Sequence, residues 1–218
     1  METLLSVRNL NIGVHPFDKP KSRRNGKPEL LSSVKDVSFD ISGGEIVGLL
    51  GESGSGKSLS ALSIISLLGE NKEVTGGSVL FSGGGTVRDL LTLSEKEMQV
   101  IRGKEISMVF QEPFSSLNPL LKIGKQIAET LELHGERDKT LIKGRVKELA
   151  EKLRLVEPEK ILDSYPHQLS GGMCQRIMIA LAVICRPRLL IADEPTTALD
   201  QNTQNQILTV LREINRDF

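Results

Sequence analysis

An apolar run, Ile46-Val47-Gly48-Leu49-Leu50, leads into Gly51-Glu52-Ser53-Gly54-Ser55-Gly56-Lys57-Ser58 and then into Leu59-Ser60-Ala61-Leu62-Ser63-Ile64-Ile65. Few stretches constrain a chain so tightly. A buried strand, a Gly-rich turn and a helix in that order make a phosphate-binding loop. Glycines let the backbone wrap closely enough for successive N–H groups to face phosphate oxygens. Lys57 reaches the β- and γ-phosphates, and the Ser58 hydroxyl is suited to Mg²⁺. The following helix sets its positive dipole end on the same anion. The expectation is an α/β fold that binds a nucleotide.

At 218 residues the chain holds one large α/β domain, or a core with one inserted subdomain. Lys+Arg 28 balances Asp+Glu 28, so no overall field favours nucleic acid or an anionic membrane. No apolar run is long enough to span a bilayer and Met1-Glu2-Thr3 begins no signal peptide, which predicts a cytoplasmic chain. Cys174 and Cys185 lie in one apolar helical run without metal-ligand spacing, and read as buried thiols in a reducing compartment.

Taken in order, Leu4 to Ile12 predicts a first strand and Leu31 to Ile41 a return strand. Between them His15 to Pro28 is broken by prolines and a glycine, and reads as a solvated hairpin tip rather than a lipid or nucleic-acid contact. The helix after Lys57 is expected to end near Leu68-Gly69, with glycine at C′. Gly77 to Gly83 reads as a short strand bounded by glycines, and Leu93 to Arg102 as a short helix capped by Ser94. Glu105 to Phe110 is a second buried strand that delivers Gln111 at its carboxyl end, where ligands sit in open α/β sheets.

From Leu117 to His167 the period becomes helical. Ile123, Ile127 and Leu131 fall on one face; Leu141, Ile142, Val146, Leu149, Leu153 and Val156 form a second stripe, stopped by Pro158. These helices read as a small subdomain inserted into the core. Its outer surface serves either as a groove for a partner or as a packing face. Leu169-Ser170-Gly171-Gly172-Met173 opens a further helix, with Ser170 as N-cap and two glycines exposing N–H groups at its positive end. Leu189 to Glu194 is a buried strand ending in two acids. Asp193 there suits the Mg²⁺ water shell, and Glu194 suits polarising a water for attack on a γ-phosphate. A loop through Asp200 leads to a last helix, with Ile207, Leu211 and Ile214 on one face.

Phosphate loop, strand-end glutamine, Leu-Ser-Gly-Gly and a strand ending Asp-Glu, in that order, resemble the ATP-binding subunits of ATP-binding-cassette (ABC) transporters. The four-residue signature is specific to that family, and the match covers nearly the whole chain. Phe110-Gln111-Glu112-Pro113-Phe114-Ser115-Ser116-Leu117-Asn118-Pro119, with Ile123-Gly124-Lys125-Gln126-Ile127, looks like the peptide/nickel importer branch. So do Ser164 to Met173 and Asp193 to Asp200.

The resemblance implies an α/β P-loop NTPase core of ABC type, with an N-terminal antiparallel β region and an inserted helical subdomain. Residues 1–111 would form the first part of the nucleotide-binding core and 112–168 the helical subdomain. Residues 169–218 would hold the signature helix and the rest of the core. It implies ATP held by Gly51 to Ser58, Mg²⁺ between Ser58, Gln111 and Asp193, and Glu194 as catalytic base. Gln111 would couple the site to the helical subdomain. Ser170, Gly171 and Gly172 would bind the γ-phosphate of ATP on a second, head-to-tail subunit, with Asp200 in the loop between the two. A lone subunit would hydrolyse slowly. The implied partners are that second ATPase subunit, transmembrane permease subunits and, indirectly, an extracytoplasmic substrate-binding protein; nucleic acid is not among them. The implied place is the cytoplasmic face of the membrane, and the cargo a peptide, or nickel or another chelated metal.

Three departures stand out. The place of the family's adenine-stacking aromatic aligns with Val14, near His15 and Phe17, and Cys174 stands where this branch commonly has arginine. The family's switch histidine lies one strand beyond the final helix, whereas His15, His134 and His167 all precede the Asp-Glu strand. A central strand would then be lacking, leaving unpaired backbone on both sides, so these residues are expected to be part of a longer protein. Two other function classes compete with this reading. A non-transport ABC ATPase of repair or translation is disfavoured by the absence of long insertions or tandem cassettes. A nucleotide-binding module without turnover would suit a chain that naturally lacks the histidine.

Overall fold

A computed structural model describes residues 2–15, 23–24, 27–28, 30–197 and 199–217. The chain divides into two compact units, Met1–Gln99 and Val100–Phe218.

In the first unit β1 (Thr3–Val14) is followed by the short pair β2 (Arg23–Arg24) and β3 (Lys27–Pro28), then β4 (Leu31–Ser42). Helix α1 (Lys57–Ile64) precedes β5 (Lys72–Gly83), β6 (Thr86–Asp89) and helix α2 (Glu95–Ile101). Strands β4, β1, β5 and β6 lie in that order in one sheet, every pairing antiparallel. The rest of the His15 to Pro28 tip lies outside the described residues. Leu5, Val7, Leu10 and Ile12 of β1 are fully buried, as is Val79 of β5, and α1 packs on β1. Each such side chain contributes about 2 kcal/mol of hydrophobic stabilisation. Ser94 and Glu97 close a reciprocal capping box at the start of α2, as the sequence predicts.

Three expectations are corrected here. Ile46 to Leu50 is not a buried strand: among the described residues it joins no ladder, and Ile46 and Leu50 are 64% and 93% exposed. Its apolar pattern supplies faces for packing, but backbone groups without a neighbouring strand stay with water.

Helix α1 ends at Ile64 rather than near Leu68-Gly69. Leu67 N–H donates to Leu62 O at 2.9 Å and Ser66 N–H to Ser63 O at 3.1 Å, with Ser66 at φ 53°. That is a Schellman closure with serine in the left-handed position glycine usually takes.

Gly77 is not a strand boundary. Strand β5 begins at Lys72, and Gly77 sits inside it at an irregularity in the β1 pairing. With φ 101°, a Cβ there would lie 2.5 Å from Asn9 O and 2.6 Å from Arg8 O. Both neighbours are backbone and cannot swing aside. Gly77→Ala is therefore expected to destabilise the protein by about 2–3 kcal/mol, read from the denaturant midpoint. A loss under about 0.5 kcal/mol, that of an ordinary surface change, would show that the crossing relaxes.

The second unit contains β7 (Ile106–Val109), helices α3 (Pro113–Ser116), α4 (Ile123–Leu133), α5 (Lys139–Lys152), α6 (Pro158–Leu162) and α7 (Gly171–Val183), strand β8 (Leu189–Ala192) and helix α8 (Gln201–Asp217). Strands β7 and β8 run parallel, Val109 opposite Ala192. One apolar cluster joins Ile123, Ile127 and Leu131 of α4 to Ile142, Val146 and Leu149 of α5, Ile177 of α7, and Ile207 and Val210 of α8. In the predicted α5 stripe, Leu141 and Val156 instead face solvent, the first in the opening turn and the second beyond the helix end. In α8, Leu211 is half-buried and Val210 takes the core position expected for it.

Candidate functional site

In the first unit, residues 51–56 form a turn that ends with Gly56 as N-cap of α1 at φ 93°. Lys57 is the first residue of that helix, and its side chain folds back over the loop. Nζ donates to Gly51 O and to Glu52 O, both at 2.9 Å. Ser55 N–H donates to Glu52 O at 3.2 Å, which tightens the turn. No acid occupies the first turn of α1, so nothing there neutralises the positive end of its dipole. An ammonium resting on its own loop carbonyls, beside an uncompensated helix N-terminus, fits a polyphosphate. Ser58, the second residue of α1, carries the hydroxyl suited to the metal.

In the second unit two parallel strands end side by side. Because Val109 faces Ala192, the residues two places beyond each strand, Gln111 and Glu194, are brought together. Gln111 Nε2 donates to Glu194 Oε2 at 2.9 Å, and Thr197 Oγ1 donates to the same oxygen at 2.9 Å. Asp193 N–H donates to Val109 O at 3.0 Å and extends the ladder up to the acidic pair. Glu194 has φ 47°, a left-handed backbone uncommon outside glycine, and Thr197 N–H closes the turn onto Glu194 O at 3.1 Å. Thr197 had no sequence signal beyond its position three residues after the acid.

Donation by the Gln111 amide nitrogen leaves its carbonyl oxygen for another partner. Within this unit, the Asp193 carboxylate and the Gln111 amide oxygen are hard oxygen donors of the kind Mg²⁺ takes. Among the described residues no group of three or more His, Cys, Asp and Glu side chains could hold a metal by itself.

The signature turn is a capped helix start, as expected from sequence. Ser170 Oγ accepts from Met173 N–H at 3.4 Å, and Cys174 N–H donates to Ser170 O at 2.9 Å. Cys174 is fully buried, and burial pushes its thiol up to about 11, so it is an inert packing residue. Asp200 caps α8: Oδ1 accepts from Asn202 N–H and Thr203 N–H, each at 3.0 Å, and Oδ2 from Thr203 Oγ1 at 2.6 Å. These bonds from Thr203 hold its carboxyl below the usual range. Thr203 also meets the signature turn, since a Cβ on Gly172 would lie 2.9 Å from its methyl. Ser170, Gly171, Gly172 and Asp200 are thus gathered at two adjoining helix starts. Val14, at the place aligned with the adenine-stacking aromatic, is half-buried in β1.

A family model described as ABC transporter matches residues 34–197. The chain belongs to the ABC transporter family. It is 43% identical over its whole length to the oligopeptide transport ATP-binding protein OppD of Haemophilus influenzae, covering 63% of that protein. It is also 43% identical to the dipeptide transport ATP-binding protein DppD of Bacillus subtilis, covering 99% of this chain and 61% of the relative. The chain therefore spans about three fifths of the length of these curated relatives. Among solved structures, the dimeric post-hydrolysis state of the ATP-binding cassette MJ0796, bound to ADP and Pi, superposes with a TM-score of 0.80 at 28% identity. That match covers 98% of this chain and 84% of the other. The fold is that of an ABC cassette, an α/β P-loop core with an N-terminal antiparallel sheet and a helical insertion. Among the described residues no helix is long and apolar enough to cross a membrane.

Proposed function

We propose that this chain is the ATP-binding and hydrolysing part of an ABC importer whose cargo is a peptide. Nickel or another chelated metal is the other cargo of the branch. The observation that carries the reading is the Gln111–Glu194–Thr197 cluster at the ends of two parallel strands. Residues 1–111 supply the phosphate loop, 112–168 the helical subdomain, and 169–218 the signature helix and acidic strand. The phosphate loop, Gly51 through Ser58, would hold ATP, and Gln111 and Asp193 would hold Mg²⁺. Such an ion, when bound, would supply charge neutralisation for the transferred phosphoryl group.

The protein residues then have separable tasks. Lys57 leaves its loop carbonyls for the phosphate oxygens, and the α1 N-terminus adds dipole stabilisation. Glu194 is the general base. Among the described residues both hydrogen bonds to its carboxylate fall on Oε2, which leaves Oε1 for the attacking water. Gln111 relates that carboxylate to the following segment and so to the helical subdomain. A groove of about 630 Å³ there runs between α4, α5 and α6, with Lys139, Lys143 and Lys147 on one wall and Glu132 and Glu159 among its other residues. It suits a cytoplasmic segment of a permease subunit, which would place the protein on the cytoplasmic face of the membrane; a substrate-binding protein outside acts through that permease.

Ser170, Gly171, Gly172 and Asp200 face a second, head-to-tail ATPase subunit. ATP bridges two half-sites, so binding favours the closed dimer and hydrolysis releases it. The test is Ser170→Arg in one subunit of a mixed dimer. Turnover at the phosphate loop of the partner should fall about a hundredfold, the loss typical of removing one transition-state donor, while the variant's own loop keeps its turnover. Equal loss at both sites would rule out the shared-site arrangement.

A further inference from the structure

Arg176 lies on the signature helix, one turn beyond Gly172 on the same face. Its Nη1 donates to Leu153 O at 2.8 Å and to Arg154 O at 3.1 Å. Those carbonyls belong to the C-cap of α5 and the residue after it, where the helix end leaves acceptors without intrahelical donors and the dipole favours a cation. Nη2 donates to Gln206 Oε1 of α8. A planar guanidinium thus meets three acceptors, two just past the end of α5 and one on α8, in a fork that an ammonium point charge does not match. One turn earlier, Thr203 packs on Gly172 and bonds Asp200. Two consecutive turns of α8 therefore bear on two consecutive turns of α7. The tie is not sealed into the core: Arg176, Thr203 and Gln206 border an open cavity of about 210 Å³ together with Ser170 and Gly172.

We propose that Arg176 is a positioning residue for the Leu-Ser-Gly-Gly turn, joining the end of α5, the signature helix and the start of α8. Ser170 and the Asp200 loop then move as one body against the second subunit. This rests on the shared-site function proposed above and adds to it a residue that touches no nucleotide.

The test uses the natural full-length protein in a Glu194→Gln background and compares Arg176→Lys with the unmodified residue. ATP affinity is measured by fluorescent-nucleotide titration, ATP-driven association by sedimentation, and folding by the thermal transition. Arg176→Lys is expected to weaken ATP-driven association at least about tenfold, the worth of a charge-assisted hydrogen bond, while ATP affinity stays within about twofold. Glu213→Ala, which removes only the exposed pair with Arg154, should leave both unchanged. If Arg176→Lys does not fold, Gln206→Met removes the α8 arm alone and must give the same split. Association and affinity falling together, or neither falling, would overturn the proposal. Absence of ATP-driven association with Arg176 intact would instead overturn the shared-site reading, and this proposal with it.

Discussion

Glu194→Gln in the natural full-length protein is expected to lower ATP turnover about a thousandfold while leaving nucleotide affinity intact, so that the ATP-bound dimer accumulates. The reason lies in which interactions survive the change. Gln111 Nε2 and Thr197 Oγ1 both donate to Oε2 at 2.9 Å. A glutamine carbonyl oxygen in the same place accepts the same two bonds. The left-handed turn at residue 194, closed by Thr197 N–H, keeps its geometry as well. What disappears is the second carboxylate oxygen and with it the base that takes a proton from water. Binding depends on Lys57 and the loop N–H groups, which the substitution does not touch. Phosphate release and the sedimentation of the ATP-bound protein are the measurements. Retained turnover would mean that another group is the base.

Much of this site was legible because its pieces are local. The phosphate loop, the Ser170 cap and the acidic strand end are each written in a few consecutive residues whose backbone demands are met by their own side chains. The pairing of Gln111 with Glu194 was not legible: the sequence places each beyond a strand end, and only the parallel register, with Val109 opposite Ala192, brings residues at equal offsets together. What stayed hidden depends on contacts distant in sequence. Nothing near Thr203 announces that it fills the space beside Gly172, and nothing near Arg176 names α5 carbonyls as its acceptors.

Where the fold departs from the sequence expectation, the cause is the same. The Ile46 to Leu50 run has the composition of a strand, but strand formation is a property of pairs, and none of the described ladders includes it. By local pattern glycine reads as punctuation at 69 and 77. At the first, Ser66 had already closed the helix three residues earlier; at the second, the missing side chain serves a close backbone crossing inside β5. Both glycine rules are statistical statements about where left-handed or crowded backbone occurs, and tertiary contacts decide the individual case.

Lys57→Ala is expected to weaken ATP binding about a hundredfold, the worth of two charge-assisted hydrogen bonds to phosphate, without weakening the fold. The present partners of the ammonium explain the second half. Gly51 O and Glu52 O, each 2.9 Å from Nζ, lie on an exposed loop, so water replaces the lost donor at little expense. Alanine is also a better helix former than lysine at the first position of α1. The first half follows from charge. No acid or base other than Lys57 lies in the opening turn of α1, leaving only backbone N–H groups and the helix dipole to hold the anion. Those groups can hold one phosphate but lack the reach of a long side chain to a terminal one. The variant should therefore lose most of its preference for ATP over AMP, with the thermal midpoint unchanged. Calorimetric titration with both nucleotides decides it. Equal weakening of both would place the ammonium near the α-phosphate, and no weakening would remove Lys57 from the site.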